Sequence, residues 1–437
     1  MEILTGRPGW PSVLLARTTT LAGDATLEAA EAAGAWAAWK QTVAGVAPDA
    51  LIGLIERSGL RGRGGAGFPT GRKFRACAGA APGQRYVVAN GFEADPGAQT
   101  DRLLMERDPH AVVEGVALAA YAVRATEAII VVNGGYGTAA ARLRAVVDAA
   151  EDAGYLGEGV LGTSVRLSIE VRELSGSLVT GEETVLLRAL EDRRAQPDQR
   201  PPYPAVKGLW GKPTVVNNVQ TLAAVPWIVS NGAEAYAAIG DAETPGTMLV
   251  QLSGAVGRPG IVEVPLGTSL RDLLDLAGGS TGTLKALLVG GPTGGFLPAA
   301  SLDLPLTVGS LAEAGALVGS GTILAVGTET SIVELATLLT RYLSDESCGK
   351  TIPCRIGMRR MAELGDGLCR GLCRPSDPKL MADLAADIRD GALCGLESGG
   401  VNPLLSGMRY FGSEFDAAVA PGSAQAATAP SQSGTHG

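Results

Sequence analysis

Two stretches of this sequence carry residue types that could do chemistry. The segment Arg61-Gly-Arg-Gly-Gly-Ala-Gly-Phe-Pro-Thr-Gly71 holds five glycines, with Arg61, Arg63, Arg72 and Lys73 around them. Glycine lets successive backbone N–H groups converge on an anion, and nearby cations neutralise it, so the loop could cradle a phosphate. Taken alone, a basic glycine-rich turn is more often just a turn. The second stretch is cysteine-rich: of six cysteines only Cys77 precedes residue 340, and the other five fall between Cys348 and Cys394. That density points to metal before disulfides.

Elements must hold these residues in place. The chain of 437 residues is too long for one ordinary core, since domains cluster near roughly 100–200 residues. Helical spacing marks Asp24–Trp39, Pro48–Ser58 and Arg107–Arg124, while Tyr86–Ala89, Ala128–Val132 and Val165–Val171 read as short buried strands. This alternation predicts a layered α/β domain with a largely parallel sheet. Near Thr244 the pattern changes to Thr247–Ser253, Gly260–Val264, a helix at Leu270–Ala277 and a strand at Ala286–Val289, a module of the β-grasp kind. After Thr330 it turns helical through the cysteines to Tyr410, and the Ala-, Ser-, Pro- and Gly-rich end lacks periodicity.

The boundaries expected are an N-terminal extension over 1–45, an α/β domain over 46–240, a β-grasp module over 241–328, a helical cysteine domain over 329–414 and a disordered tail over 415–437. The net charge of −9, with no basic run, argues against a nucleic-acid surface. No apolar run reaches the roughly 18 residues of a membrane span. With Glu2 and two prolines in residues 1–16, the start lacks the pattern of a secretory signal, so the expected location is the cytoplasm. Glycine, at 61 residues, is about twice its usual share, and aromatics are only 4%, which favours an α/β enzyme over a fibre.

The glycine loop followed by Lys73 resembles the signature of the flavin-bearing, NADH-oxidising subunit of respiratory complex I and of its relatives in soluble hydrogenases and formate dehydrogenases. Three more segments fall in that family's order: Asn90–Gly97 with Asp101-Arg102 and Asp108-Pro-His110; Gly181-Glu-Glu-Thr184; and Pro201–Ala205 through Gly211–Val219. The resemblance runs from about residue 50 to 412. It implies a Rossmann-like domain for FMN and NADH, a β-grasp (SLBB-like) module and a C-terminal helical iron–sulfur domain. It places the FMN phosphate at Gly62, Arg63, Gly64, Gly65 and Gly67 with Asn217 and Asn218, and the flavin near Lys73, Asn90, Glu93, Asp95 and Gly181. Glu182 and Glu183 fall at the flavin edge and the nicotinamide, with Glu183 and Glu93 as the catalytic candidates. Phe68 and Tyr203 match the aromatics that grip the adenine.

The sequence also departs from that pattern. Phe92 stands where the family has an Asp, Asp95 where it has a Glu, Leu178 where it has a tyrosine, Thr180 where it has a cysteine and Ala76 where it has a third stacking aromatic. The segment Ser347-Cys-Gly-Lys-Thr-Ile-Pro-Cys-Arg355 resembles the family's Cys-Gly-x-Cys-x-Pro-Cys-Arg, which with a later cysteine, here Cys394, holds a 4Fe–4S cluster. Thr351 replaces the second ligand. Cys348, Cys354 and Cys394 stay in register, and Cys369 or Cys373, which would share a face if both lie on one helix, could supply the missing thiolate; a 3Fe–4S form is the other outcome. Cys77 reads as a packed small residue, and His110 as structural at a helix start.

The implied activity is that of an FMN-dependent NADH dehydrogenase (diaphorase) subunit, with hydride passing from NADH to FMN and electrons to an iron–sulfur partner subunit. Two rivals are a redox-inert structural paralogue and a flavoprotein without its cluster. Arg200, near Tyr203, does not decide between NADH and NADPH.

Overall fold

The computed structural model describes residues 2–21 and 24–419 and divides into two compact units, Met1–Thr328 and Glu329–Gly437. The first unit contains two sheets. In the five-stranded sheet, Tyr86–Gly91, Glu127–Asn133, Arg166–Leu174 and Thr214–Asn218 run parallel, and the two-residue strand Gly157–Glu158 pairs antiparallel at one edge. The apolar runs Val87–Ala89 and Ala128–Val132 are buried, as strands covered on both faces require.

The order of these strands fixes where a ligand goes. Tyr86–Gly91 lies between Glu127–Asn133 and Thr214–Asn218. The chain therefore leaves the first strand toward one side of the sheet and later returns, through helix Glu183–Leu190, to add the last strand on the other side. Between Tyr86–Gly91 and Thr214–Asn218 the connections diverge, and such a switch point opens a crevice at the carboxyl ends of parallel strands. Asn90 pairs with Asn218 there, and Ala89 with Asn217.

The second sheet has six strands, with Thr247–Gly254, Gly260–Pro265, Leu284–Val289, Gly295–Pro298 and Thr322–Gly327 around helix Leu270–Leu276. Its last member is Glu2–Ile3, which pairs parallel with Gly260 and Ile261. The N-terminal stretch is thus woven into the fold. The N–H groups of Val13, Leu14 and Leu15 all donate to the carboxylate of Glu263 at 2.8–2.9 Å, and those of Trp36 and Trp39 to Glu114. Backbone donors satisfy most of the acceptor capacity of these buried carboxylates, and Arg17 adds an ion pair to Glu114 at 4.0 Å.

Several expected elements are corrected. The helix expected over 107–124 runs Pro109–Val123, starting where Asp108 accepts from the N–H of Ala111 ahead of Pro109, and a separate helix, Thr100–Arg107, precedes it. Asp24–Trp39 is broken, with helices at Leu27–Ala32 and Ala37–Gly45 and Trp36 in a left-handed turn at φ 64°. His110 is structural: its ring accepts from the indole N–H of Trp36 and bonds the carbonyl of Ala25. Cys77 is fully buried, and desolvation pushes its thiol up to about 12.

The second unit is helical. Helix Ile332–Asp345 carries an apolar face that includes Ile332, Val333, Ala336 and Leu343, and it packs on Arg359–Cys369 and Asn402–Tyr410. The expected tail begins as a helix, Gly412–Val419, in which Phe415 is buried; residues 420–437, with His436, lie outside the described residues. Among the described residues no helix is long and apolar enough to cross a membrane.

Candidate functional site

The crevice collects most of the residues expected there, each carried by the end of a strand or the start of a helix. The glycine loop enters through an antiparallel bridge between Arg61 and Pro69 and turns at Gly65 (φ 102°) and Gly67 (φ 61°), where only glycine is unstrained. A Cβ on Gly64 would stand 3.3 Å from the Cβ of Asn218, so the loop lies directly against the end of the last parallel strand. The N–H of Gly62 is spent on the carbonyl of Phe68 and that of Arg63 on Thr221 Oγ1. Among the described residues those of Gly64, Gly65, Ala66 and Gly67 have no acceptor in the protein.

Lys73 projects from helix Thr70–Ala78 and donates to the carbonyl of Val216 at 2.8 Å and to Glu183 Oε2 at 3.0 Å. Arg200 holds the other oxygen of Glu183 at 3.1 Å and lies 3.7 Å from Glu182, so Glu183 sits between a lysine and an arginine. Glu182 is also a helix cap, accepting from the N–H groups of Thr184 and Val185 at the start of Glu183–Leu190. Asn90 Nδ2 donates to the carbonyl of Gly181 at 2.8 Å, joining the end of the first parallel strand to the paired-glutamate turn. A Cβ on Gly181 would come within 3.1 Å of Ala94 Cβ.

Beneath the crevice is an acidic pair. Glu93, at φ 42°, caps helix Thr100–Arg107 by accepting from the N–H groups of Asp101 (2.7 Å) and Arg102 (3.0 Å). Asp101 accepts from Asn218 Nδ2 at 2.5 Å and Gln220 Nε2 at 2.7 Å. Desolvation pushes both carboxyls above their usual range, and the charge of Asp101 raises Glu93 further.

Three expected cofactor contacts have their side chains engaged elsewhere. The buried guanidinium of Arg63 turns away from the loop and donates to the carbonyls of Arg61, Pro245 and Thr247 and to the hydroxyl of Tyr236, clamping the loop to the next module. Asn218 caps helix Val219–Asn231 through Oδ1 and gives Nδ2 to Asp101. Asp95 accepts from Ser320 (2.6 Å), Thr322 (3.1 Å) and the N–H of Gly97. Asn217 is the opposite case: it is 5% exposed and its Oδ1 has no hydrogen-bond partner. Such an atom is costly unless something else meets it. Phe68 and Tyr203 are 53% and 58% exposed, flat surfaces with no covering of their own.

Among the substituted positions, Phe92 is core, and the hydroxyl of Thr180 accepts from the N–H of Ser177 in a capping box. Sequence reasoning assigned no site role to Arg200, Gln220 or Asn133, whose side chain bonds the carbonyl of Phe92. For Gln220, a polar residue inside the otherwise apolar run after Asn218 was the available signal.

In the second unit Cys354 and Cys394 are buried and Cys348 is partly buried. Ser347 Oγ lies 3.1 Å from Cys354 Sγ, and Thr351 Oγ1 accepts from the N–H of Cys354. The hydroxyl of Thr351 donates to Glu397 Oε1 at 2.5 Å, and Glu397 Oε2 accepts from the N–H of Leu393. Burial raises the Cys354 thiol, and the charges of Glu397 and Cys348 add to that effect. Cys369 and Cys373 are corrected as ligands of the same centre. Residues from Ile352 to Cys369 form one unbroken helical run, so the fifteen residues from Cys354 to Cys369 span roughly 20 Å. Cys373 lies beyond the helix end, not on its face, and packs near the carbonyl of Leu364.

Comparison with known proteins matches three family models: the Nuo51 FMN-binding domain over residues 55–227, the SLBB domain over 249–297 and the NADH-ubiquinone oxidoreductase-F iron–sulfur binding region over 334–418. The HndC subunit of the NADP-reducing hydrogenase of Solidesulfovibrio fructosivorans is 40% identical over 375 residues, covering 85% of this chain and 76% of that protein. A subunit of the NADH-quinone oxidoreductase of Escherichia coli is 40% identical over 385 residues, covering 87% and 86%. The crystal structure of a NAD+-reducing NiFe hydrogenase in the H2-reduced state superposes with a TM-score of 0.82 at 32% identity, covering 94% of this chain and 67% of that one.

Proposed function

The chain belongs to the family that unites the FMN-binding subunit of NADH-quinone oxidoreductase with the hydrogenase diaphorase subunits, and from that premise we propose how its own residues serve the reaction. It is an FMN-dependent NADH dehydrogenase subunit: hydride passes from NADH to FMN, and electrons leave toward an iron–sulfur partner subunit.

The observation that carries the assignment of residues is the pairing of unspent N–H groups at Gly64–Gly67 with the unpartnered Oδ1 of Asn217. An anion in the loop satisfies the first, as at other backbone anion sites. A bound donor satisfies the second. Lys73, Asn90 and Gly181 line the flavin position, Glu183 orients the nicotinamide, and Phe68 and Tyr203 stack the adenine. Arg63, Asn218, Asp95 and Glu182 serve by holding this frame, and Glu93 by fixing the helix beneath it.

We take residues 46–240 as the flavin and nicotinamide domain, 241–328 as the β-grasp module and 329–414 as the iron–sulfur domain. The cytoplasm is the compartment that fits six cysteines with no disulfide between them among the described residues. The test is a diaphorase assay on the FMN-loaded full chain with ferricyanide as a one-electron acceptor. NADH-dependent turnover that falls in Lys73→Met and Glu183→Gln, but not in the surface variant Arg166→Ala, supports the residue assignments.

A further inference from the structure

The iron–sulfur region lacks a thiolate at Thr351, and neither Cys369 nor Cys373 is within reach. We propose that Glu397 supplies the missing ligand, its carboxylate binding the iron that would otherwise take a cysteine at position 351. The inference rests on the reading that this region holds a cluster.

Glu397 lies three residues after Cys394, at the start of the short helix Gly395–Gly399. Its Oε1 is 2.5 Å from the hydroxyl of Thr351, so the carboxylate stands one hydrogen bond from the site a thiolate there would occupy. The same hydroxyl accepts from the N–H of Cys354, so Cys354 and Glu397 meet at residue 351. Glu397 is only 2% exposed, and among the described residues no Lys, Arg or His pairs with it. A buried carboxylate with two hydrogen-bond donors and no cation is costly in an apolar interior, and coordination to a metal relieves that cost. The donors suit the role: Thr351 Oγ1 and the N–H of Leu393 hold one oxygen each, as outer groups hold ligating carboxylates.

Among the described residues no three of His, Cys, Asp and Glu converge on a single metal ion. That argues against a mononuclear site, whereas a cubane takes one ligand per iron and spreads them around its faces. The assembly is then three thiolates, from Cys348, Cys354 and Cys394, and one carboxylate. A hard oxygen ligand binds iron less tightly than sulfur does, so the iron at Glu397 is the most exchangeable of the four.

The experiment reconstitutes the full chain anaerobically with ferrous iron and sulfide, then measures iron, sulfide and FMN content with low-temperature EPR. The wild type is expected to hold a four-iron cluster that becomes paramagnetic on reduction. Glu397→Gln is expected to retain FMN but lose one iron per cluster and show the oxidised three-iron signal. Glu397→Cys is expected to keep the full iron count, which separates loss of a ligand from loss of the fold. Iron content and spectra unchanged in Glu397→Gln overturn the ligand assignment while leaving the cluster intact. Absence of iron from both the wild type and Thr351→Cys, with FMN still bound, overturns the cluster reading itself and this inference with it.

Discussion

Lys73 and Glu183 meet across the crevice, Nζ to Oε2 at 3.0 Å, and the same ammonium holds the carbonyl of Val216 at 2.8 Å. One side chain thereby ties the helix after the glycine loop to the last parallel strand and to the paired-glutamate turn. Both partners are about a fifth exposed, so the pair is partly shielded from solvent. A hydrogen bond to a charged group is worth roughly 1.5–3 kcal/mol, which is on the order of tenfold in affinity or more. Lys73→Met is expected to weaken FMN by at least that factor, and Glu183→Gln to raise the KM for NADH with FMN content unchanged. Equilibrium dialysis and steady-state kinetics separate the two effects.

Gly65 is the most demanding position in the loop. Its φ of 102° excludes side chains without strain, and left-handed backbone costs roughly 1–2 kcal/mol for a residue with a Cβ. Gly65→Ala is expected to lower FMN affinity about tenfold, and Gly65→Glu, which adds charge repulsion against phosphate, to abolish retention on gel filtration. Stoichiometric FMN in the Glu variant would falsify the phosphate assignment.

The stacking surfaces give a prediction specific to the nucleotide. Phe68→Ala and Tyr203→Ala are each expected to weaken NADH binding several-fold, since an aromatic contact is worth about 1 kcal/mol, while leaving FMN in place. Trp210→Ala serves as the control, because that ring is also exposed but packs edge-on against Tyr86. An equal loss in all three variants is inconsistent with a stacking role.

Much of this arrangement was legible in the sequence, and the misses share a cause. The loop, the segments around the crevice and the β-grasp pattern were readable because periodicity and glycine spacing are local signals. Strand Thr214–Asn218 was not, since only its first three residues, Thr214 to Val216, favour a strand, a run too short to stand out, and its place is set by its neighbour Tyr86–Gly91. The capping duties of Glu93, Glu182 and Asn218 depend on where each helix starts, which the expected helix over 24–39, broken at Trp36, shows to be hard to place. Arg63 looked like a phosphate ligand by composition, yet its partners at 236, 245 and 247 are distant in the chain. Thr351 and Glu397, 46 residues apart, could be joined only by the fold.

The acidic pair predicts a pH dependence of stability. Glu93 and Asp101 have ordinary values of 4.5 and 3.8, and burial raises both in the folded chain. The folded state then holds protons that the unfolded state has released, so stability is full below those ordinary values and declines as pH rises through the folded ones. Melting temperature is expected to fall as pH rises above 4.5. The slope should flatten in Glu93→Gln, which keeps an acceptor oxygen for the helix but no ionisable group. A slope identical to the wild type excludes Glu93 as its source.

The central claim is that this chain carries hydride from NADH to flavin, and anaerobic titration of the FMN-loaded protein with NADH tests it most directly. The account predicts stoichiometric bleaching of the oxidised flavin band. Flavin that is fully bound yet stays oxidised at millimolar NADH would contradict it.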